Sequence, residues 1–287
     1  IPAPHDSREA ASISPESFAP SFPVVGIGAS AGGLEALTKF FAAVPSPCGI
    51  AFVVIPHLAP DHKSLVAELL AKQTNLAVCE VKEDQKLEMD SVYVIPPNTL
   101  MHLNKGILRL TAHAEPHGRF VSLDSFFRSL AEDQGEKSIG IILSGTGNYG
   151  LAGLKEIKLA GGLIMAQSPE TAVYDQMPRA AIQSGVVDYI LPPEKMPAAI
   201  LEFVTRPAWN SQRNLAASDD EAEAHLNSII RLLRQGTKTD FSDYRKNMLL
   251  RRVLRRMGLS GVNQMVNYVL LLSESRHELN LLRKDLM

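Results

Sequence analysis

Residues 24–37 read VVGIGASAGGLEAL: a run of apolar residues, a turn of small residues, then the first turns of an amphipathic helix. A strand apolar at consecutive positions is buried on both faces, as central strands of parallel sheets are. The glycine-rich turn after it has two chemical readings. One is the dinucleotide fingerprint in its alanine-tolerant form, through Gly26, Gly28 and Ala31, with phosphate resting on the helix N-terminus. The other is G-x-S-x-G, through Gly28, Ser30 and Gly32, where a sharp turn presents a serine hydroxyl beside backbone N–H groups able to hold an oxyanion. A plainer role for Ser30 is to cap the helix that follows.

The dinucleotide reading requires an acidic residue at the end of the second strand, about 20 residues on. The strand AFVVI ends instead in Ile55-Pro56-His57-Leu58. C-terminal ends of neighbouring parallel strands converge on one crevice, so a histidine there can meet Ser30 and act as its base. By itself His57 is equally well a loop or capping histidine. A third strand end, IIL followed by SGTGNYG and a helical LAGL, lines the same crevice and offers backbone N–H groups and a third side chain. Its glycines are also explained by a turn that needs positive φ.

Working outward, apolar runs alternate with helical patterns through LEALTKFFAAV, IAFVVI, HKSLVAELLAKQ, the short runs around SVYVIP and ILRLTA, SIGIIL, LAGLKEIKLA, GLIMAQ, PRAAIQSG and DYILP. The alternation implies an α/β fold, a doubly wound, mostly parallel sheet with helices on both faces. Helical spacing resumes in HLNSIIRLLRQ and continues to the end, so a small all-α domain follows. The expected division is a flexible leader over 1–22, the hydrolase-like domain over 23–205, a polar linker over 206–223 and the helical domain over 224–287. The last helical pattern is unfinished at Met287, as in a chain cut from a longer one.

With 287 residues, 45% of them hydrophobic, the chain has material for two cores. Between residues 226 and 287 there are 12 Lys and Arg against 5 Asp and Glu, and elsewhere 17 against 26, so an acidic body carries a basic tail. Such a tail suits an acidic partner. No run reaches the roughly 18 apolar residues of a membrane span, and no secretory leader is evident, so a soluble, cytoplasmic protein without membrane insertion is expected. Cys48 and Cys79 lie apart from each other and from any histidine cluster, so neither a disulfide framework nor a metal site is indicated.

GASAGG, the histidine after the second strand, the GTGNYG loop, and AQSPETAVYDQMPRAA further on occur in the same order in the CheB family of chemotaxis methylesterases, which residues 23–205 resemble. The resemblance implies hydrolysis of glutamate γ-methyl esters on receptor helices, with Ser30 as nucleophile and His57 as general base and then acid. No cofactor is implied. The oxyanion would be held by N–H groups among Ala31, Gly32, Gly145, Thr146 and Gly147. The family's third member is an aspartate in the last loop, where this chain has Tyr149. A tyrosine hydroxyl orients a histidine but does not neutralise the imidazolium, so the resemblance implies a weak enzyme or a binding module. Asp61, Asp124 and Asp175 are the alternative carboxylates.

The tail is similar to the N-terminal helical domain of CheR receptor methyltransferases. Arg251, Arg252, Arg255 and Arg256 recur at i and i+4, and in the family such a face helps bind the acidic receptor region. A solvated basic surface is the plainer reading, and nucleic acid is not the expected partner. No glycine-rich loop for S-adenosylmethionine follows, so methyl transfer is not expected of this chain, and no receiver domain precedes it.

Overall fold

The structure is a computed structural model that describes residues 20, 22–56, 65–112, 121–205 and 219–287. Strands β1 (Val24–Ala29), β2 (Ala51–Pro56), β3 (Ala77–Glu80), β5 (Ser91–Val94), β8 (Ser138–Ile142), β9 (Leu163–Gln167) and β10 (Tyr189–Leu191) form one seven-stranded sheet in the order β10-β9-β8-β1-β2-β5-β3. Every pairing in it is parallel. β1 and β8 are buried along their whole length, as their unbroken apolar character requires.

Helices α1 (Gly33–Ala42), α2 (Val66–Ala71) and α6 (Met196–Thr205) cover one face, where Phe40, Phe41 and Phe52 meet edge to face. Helices α3 (Val121–Gln134), α4 (Leu151–Ala160) and α5 (Gln176–Gln183) cover the other through Phe126, Phe127, Leu154 and Met177.

The sequence reading placed both SVYVIP and ILRLTA in the main alternation. SVYV joins the sheet as β5, but ILRLTA is β7 (Ile107–Ala112), which pairs antiparallel with β6 (Thr99–Asn104) and with the two-residue β4 (Gln85–Lys86). The turn between β6 and β7 explains the difference. Lys105 and Gly106 both have positive φ, 51° and 72°, the conformation of a two-residue hairpin, which can only join antiparallel strands.

From β1 the chain proceeds to β2, β3 and β5 on one side of the sheet, with β5 between β2 and β3, and later to β8, β9 and β10 on the other. The switch point therefore lies at the C-terminal ends of β1 and β8, where the crevice of a doubly wound sheet opens.

The tail folds as four helices, α7 (Asp219–Thr237), α8 (Lys246–Ser260), α9 (Met265–Glu274) and α10 (Arg276–Leu286), around fully buried Tyr268, Leu233, Leu249, Val253 and Leu282. α7 begins at Asp219, inside the stretch expected to be linker. Its first residues, DDEAE, lack the apolar periodicity by which helices are recognised in sequence. α10 opens on a cap, with Ser275 Oγ accepting the Glu278 N–H at 3.2 Å.

Candidate active site

Ser30 is the first residue beyond β1, half-buried at the switch point. Its N–H donates to Ser144 O at 2.9 Å and its carbonyl accepts the Gly33 N–H at 2.8 Å. The N-cap of α1 is Gly32, with φ 71° and no side-chain cap bond. Gly32 admits no other residue easily, since a Cβ there would lie 2.7 Å from both Ser144 Oγ and Val173 Cβ.

Gly26 and Gly28, the glycines of the dinucleotide reading, lie within β1 and serve packing. A Cβ on Gly28 would meet Leu123 at 2.4 Å, and one on Gly26 would touch Phe126, Phe127 and Leu130 at about 3 Å. They bring α3 down onto the strand.

β2 runs beside β1 in register, Ala29 opposite Pro56. His57, the next residue, lies outside the described residues, as do Asp61 and His62.

The loop after β8 closes the other side. Gly145 packs against Ser30, and a Cβ on it would be 2.9 Å from Ser30 Cβ and 2.2 Å from Met177 Sδ. Of the five N–H groups considered for an oxyanion, Gly145 donates to Tyr174 O at 2.9 Å and Gly147 to Gln176 Oε1 at 2.9 Å. Among the described residues Ala31, Gly32 and Thr146 donate theirs to no protein acceptor. Tyr149 is half-buried, folded over Gly147 and packed against the core beneath α3 and α4.

The two described alternative carboxylates each have a partner nearby. Asp124 accepts the Gly150 N–H at 3.2 Å and the Gly153 N–H at 2.8 Å, capping α4 from a neighbouring helix. Asp175 pairs with Arg179 one turn along α5 at 2.6 Å. The thiols are remote from this chemistry: burial pushes Cys48 up to about 11, leaving it protonated at neutral pH. Among the described residues no group of three or more His, Cys, Asp or Glu is placed to hold a metal, and no helix is long and apolar enough to cross a membrane.

Several site-building residues were legible only as letters of a motif. Gln167, the glutamine of AQ, accepts the Ser144 N–H through Oε1 at 2.8 Å, and its Nε2 donates to Thr171 O at 2.9 Å. Met177, opening MPR, packs on Gly145 and donates its N–H to Gly145 O at 3.0 Å. Both lie far from Ser30 in sequence, so spacing carries no signal of their role.

The four tail arginines do not share one solvent-facing surface. Arg252 caps the C-terminal end of α4, donating to Lys158 O at 2.7 Å and Leu159 O at 2.5 Å. Arg255 is buried where the two domains meet, donating to Gly161 O and Gly162 O and pairing with Asp188 of the hydrolase-like domain and Asp285 of α10. Lys158 completes the junction, 3.0 Å from Asp188 and 2.8 Å from Asp285. Arg256 turns into the helical bundle and binds Glu278 bidentately at 2.9 and 2.6 Å, with the Tyr268 hydroxyl donating to the same carboxylate. Arg255 and Arg256 are thus taken up internally, because their partners come from distant segments. Arg251 keeps an exposed guanidinium.

Residues 25–200 match the family model described as CheB methylesterase, and residues 224–287 match CheR methyltransferase, all-alpha domain. An uncharacterized 104.1 kDa protein of Rhodobacter capsulatus is 34% identical over 245 residues, covering 77% of this chain and 25% of that one. The protein-glutamate methylesterase/protein-glutamine glutaminase of Pyrococcus horikoshii is 31% identical over 64% of this chain and 52% of its own length. A putative protein-glutamate methylesterase/protein-glutamine glutaminase of Leptospira interrogans is 33% identical, covering 61% of this chain and 92% of that protein. The chain thus spans a quarter of the first of these relatives and about half of the second. The crystal structure of the Thermotoga maritima CheB methylesterase catalytic domain superposes with a TM-score of 0.61 at 28% identity, over 64% of this chain and all of that one.

Proposed function

Since the chain belongs to the CheB methylesterase family, with a CheR-type all-α domain after it, we propose that it hydrolyses glutamate γ-methyl esters on receptor helices in the cytoplasm, using Ser30 as nucleophile. The observation that carries the reading is Ser30 itself, which leaves β1 at the switch point between β2 and β8, against Gly145 and beside backbone N–H groups that have no protein acceptor among the described residues.

The chemistry follows from that placement. Ser30 Oγ attacks the ester carbonyl, and His57, carried on the residue after Pro56, takes the hydroxyl proton. The charge on the carbonyl oxygen is held by N–H groups of Ala31, Gly32 and Thr146, donors fixed in place before charge develops. The tetrahedral intermediate collapses, His57 returns the proton to the departing methoxide, and methanol leaves. Water, deprotonated by the same histidine, then cleaves the acyl-enzyme to the free glutamate.

Tyr149 favours a second reading, a module that binds receptor and hydrolyses poorly. Losing the aspartate of a serine-histidine-aspartate triad lowers turnover by about 10⁴, and this chain has a phenol, Tyr149, where that carboxylate is expected. Methanol release from a methylated receptor fragment, by this chain and by Ser30→Ala, separates the two. Release that depends on Ser30 supports an esterase. Equal background from both overturns it in favour of the binding module.

A further inference from the structure

Beneath Ser30 lies a buried polar residue to which the sequence reading gave no role. Ser144 ends β8's run into the crevice and is fully buried. Its carbonyl receives the Ser30 N–H at 2.9 Å, and its N–H is held by Gln167 Oε1 at 2.8 Å. Its hydroxyl lies 2.8 Å from Ala31 O and 3.2 Å from Tyr174 O, donating along the shorter contact, and accepts the Tyr174 N–H at 3.0 Å. One side chain therefore ties together the nucleophile loop, the loop after β8 and the segment before α5.

The bond to Ala31 O bears on the chemistry. Residues 30–33 form a β-turn closed by the Gly33 N–H on Ser30 O at 2.8 Å. Gly32, with φ 71° and ψ −1°, occupies its third position in the type II conformation, and Ala31 is not among the residues of positive φ. In such a turn the central peptide, here Ala31–Gly32, is the unit that turns over when type II converts to type I. Because the peptide is planar and trans, its carbonyl and N–H point in opposite directions. With Ala31 O held by a hydroxyl in the interior, the Gly32 N–H is directed away from the interior. Among the described residues it has no protein acceptor.

The geometry points to Ser144 as a positioning residue that locks the Ala31–Gly32 peptide with its N–H toward the oxyanion; this rests on the esterase reading above. Without the hydroxyl, nothing in the described structure holds Ala31 O inward, and the Ala31–Gly32 peptide is free to turn over, since glycine is at ease on either side of φ = 0. The Gly32 donor is then replaced by a carbonyl oxygen pointing at the developing negative charge.

The test uses the full chain and its Ser144→Ala and Ser144→Thr variants, with methanol release from a methylated receptor fragment, thermal melting, and crystal structures of wild type and Ser144→Ala. The expected result for Ser144→Ala is kcat lower by about 10- to 100-fold with KM within about twofold, the signature of an interaction made in the transition state. Ser144→Thr keeps the hydroxyl and restores most of the loss, and the Ala31–Gly32 peptide is turned over in Ser144→Ala crystals. Two results would overturn the assignment: unchanged kcat in Ser144→Ala, or a threonine variant as impaired as the alanine one while the peptide stays as in wild type. If the unaltered chain releases no methanol dependent on Ser30, the esterase reading fails, and the crystal structures still decide. A turned peptide supports the role of Ser144 and an unturned one rejects it.

Discussion

On the proposed esterase reading, Tyr149→Asp supplies the carboxylate that a serine-histidine-aspartate triad would carry. The exchange removes a ring folded over Gly147, so the melting temperature should fall by a few degrees, while Ser30-dependent methanol release should rise by about 10²-fold or more. An assay of Tyr149→Asp with and without Ser30→Ala measures both the gain and its dependence on the nucleophile, and a flat response counts against Ser30 as nucleophile. Gly28→Ala tests the other reading of the loop. Its Cβ would meet Leu123 at 2.4 Å, so overpacking should cost about 1–3 kcal/mol in denaturant unfolding. At this scale the strand, turn and helix around Ser30 were legible because a strand, a small-residue turn and a helix follow one another in sequence. The meaning of Gly26 and Gly28 was not, because the side chains they accommodate lie about a hundred residues away on α3.

Among elements, α4 shows how the crevice is held. Its first N–H groups, on Gly150 and Gly153, are satisfied by Asp124 of α3, and Tyr149 immediately precedes that cap. Asp124→Ala should destabilise the fold by about 1–2 kcal/mol in urea unfolding, the usual magnitude of a lost helix cap. It should also speed hydrogen exchange in the 145–150 loop, and unchanged stability would mean that water replaces the carboxylate without loss. The parallel sheet was readable from unbroken apolar strands. The small antiparallel sheet was not, since β4 has two residues and the hairpin turn is written in the backbone angles of Lys105 and Gly106 rather than in an Asn-Gly signature. The start of α7 at Asp219 was hidden for a related reason, its first turns being polar.

For the whole molecule, the junction of Arg255, Lys158, Asp188 and Asp285 unites the two domains. Removing one member leaves buried charges unpaired, so Arg255→Ala should cost about 3–5 kcal/mol. It should also split a single unfolding transition into two, as calorimetry would show; one unsplit transition would mean that apolar contact alone couples the domains. Burial opposes ionisation of Asp285, but Arg255 and Lys158 outweigh it and hold its carboxyl below the usual range. A depressed carboxylate stabilises above its unfolded pKa and loses that contribution as pH falls through the folded one. Docking should therefore persist through neutral pH and weaken below about pH 4, followed by hydrogen exchange in α8. The arginine spacing was plain in the sequence. Their inward placement was not, because Asp188 and Asp285 come from segments 67 and 30 residues away from Arg255.

The same junction bears on how such a gene can change. A premature stop anywhere before codon 255 would leave Asp188 without its arginine and the carbonyls of Gly161 and Gly162 without their donor. Its product would carry a half-empty socket where the helices had docked. Parted into a gene of its own, the hydrolase-like half would turn this socket to water, with Asp188 still held by Lys158 at 3.0 Å and the Ile164 N–H at 2.9 Å, so it would lose a docking face rather than an internal support.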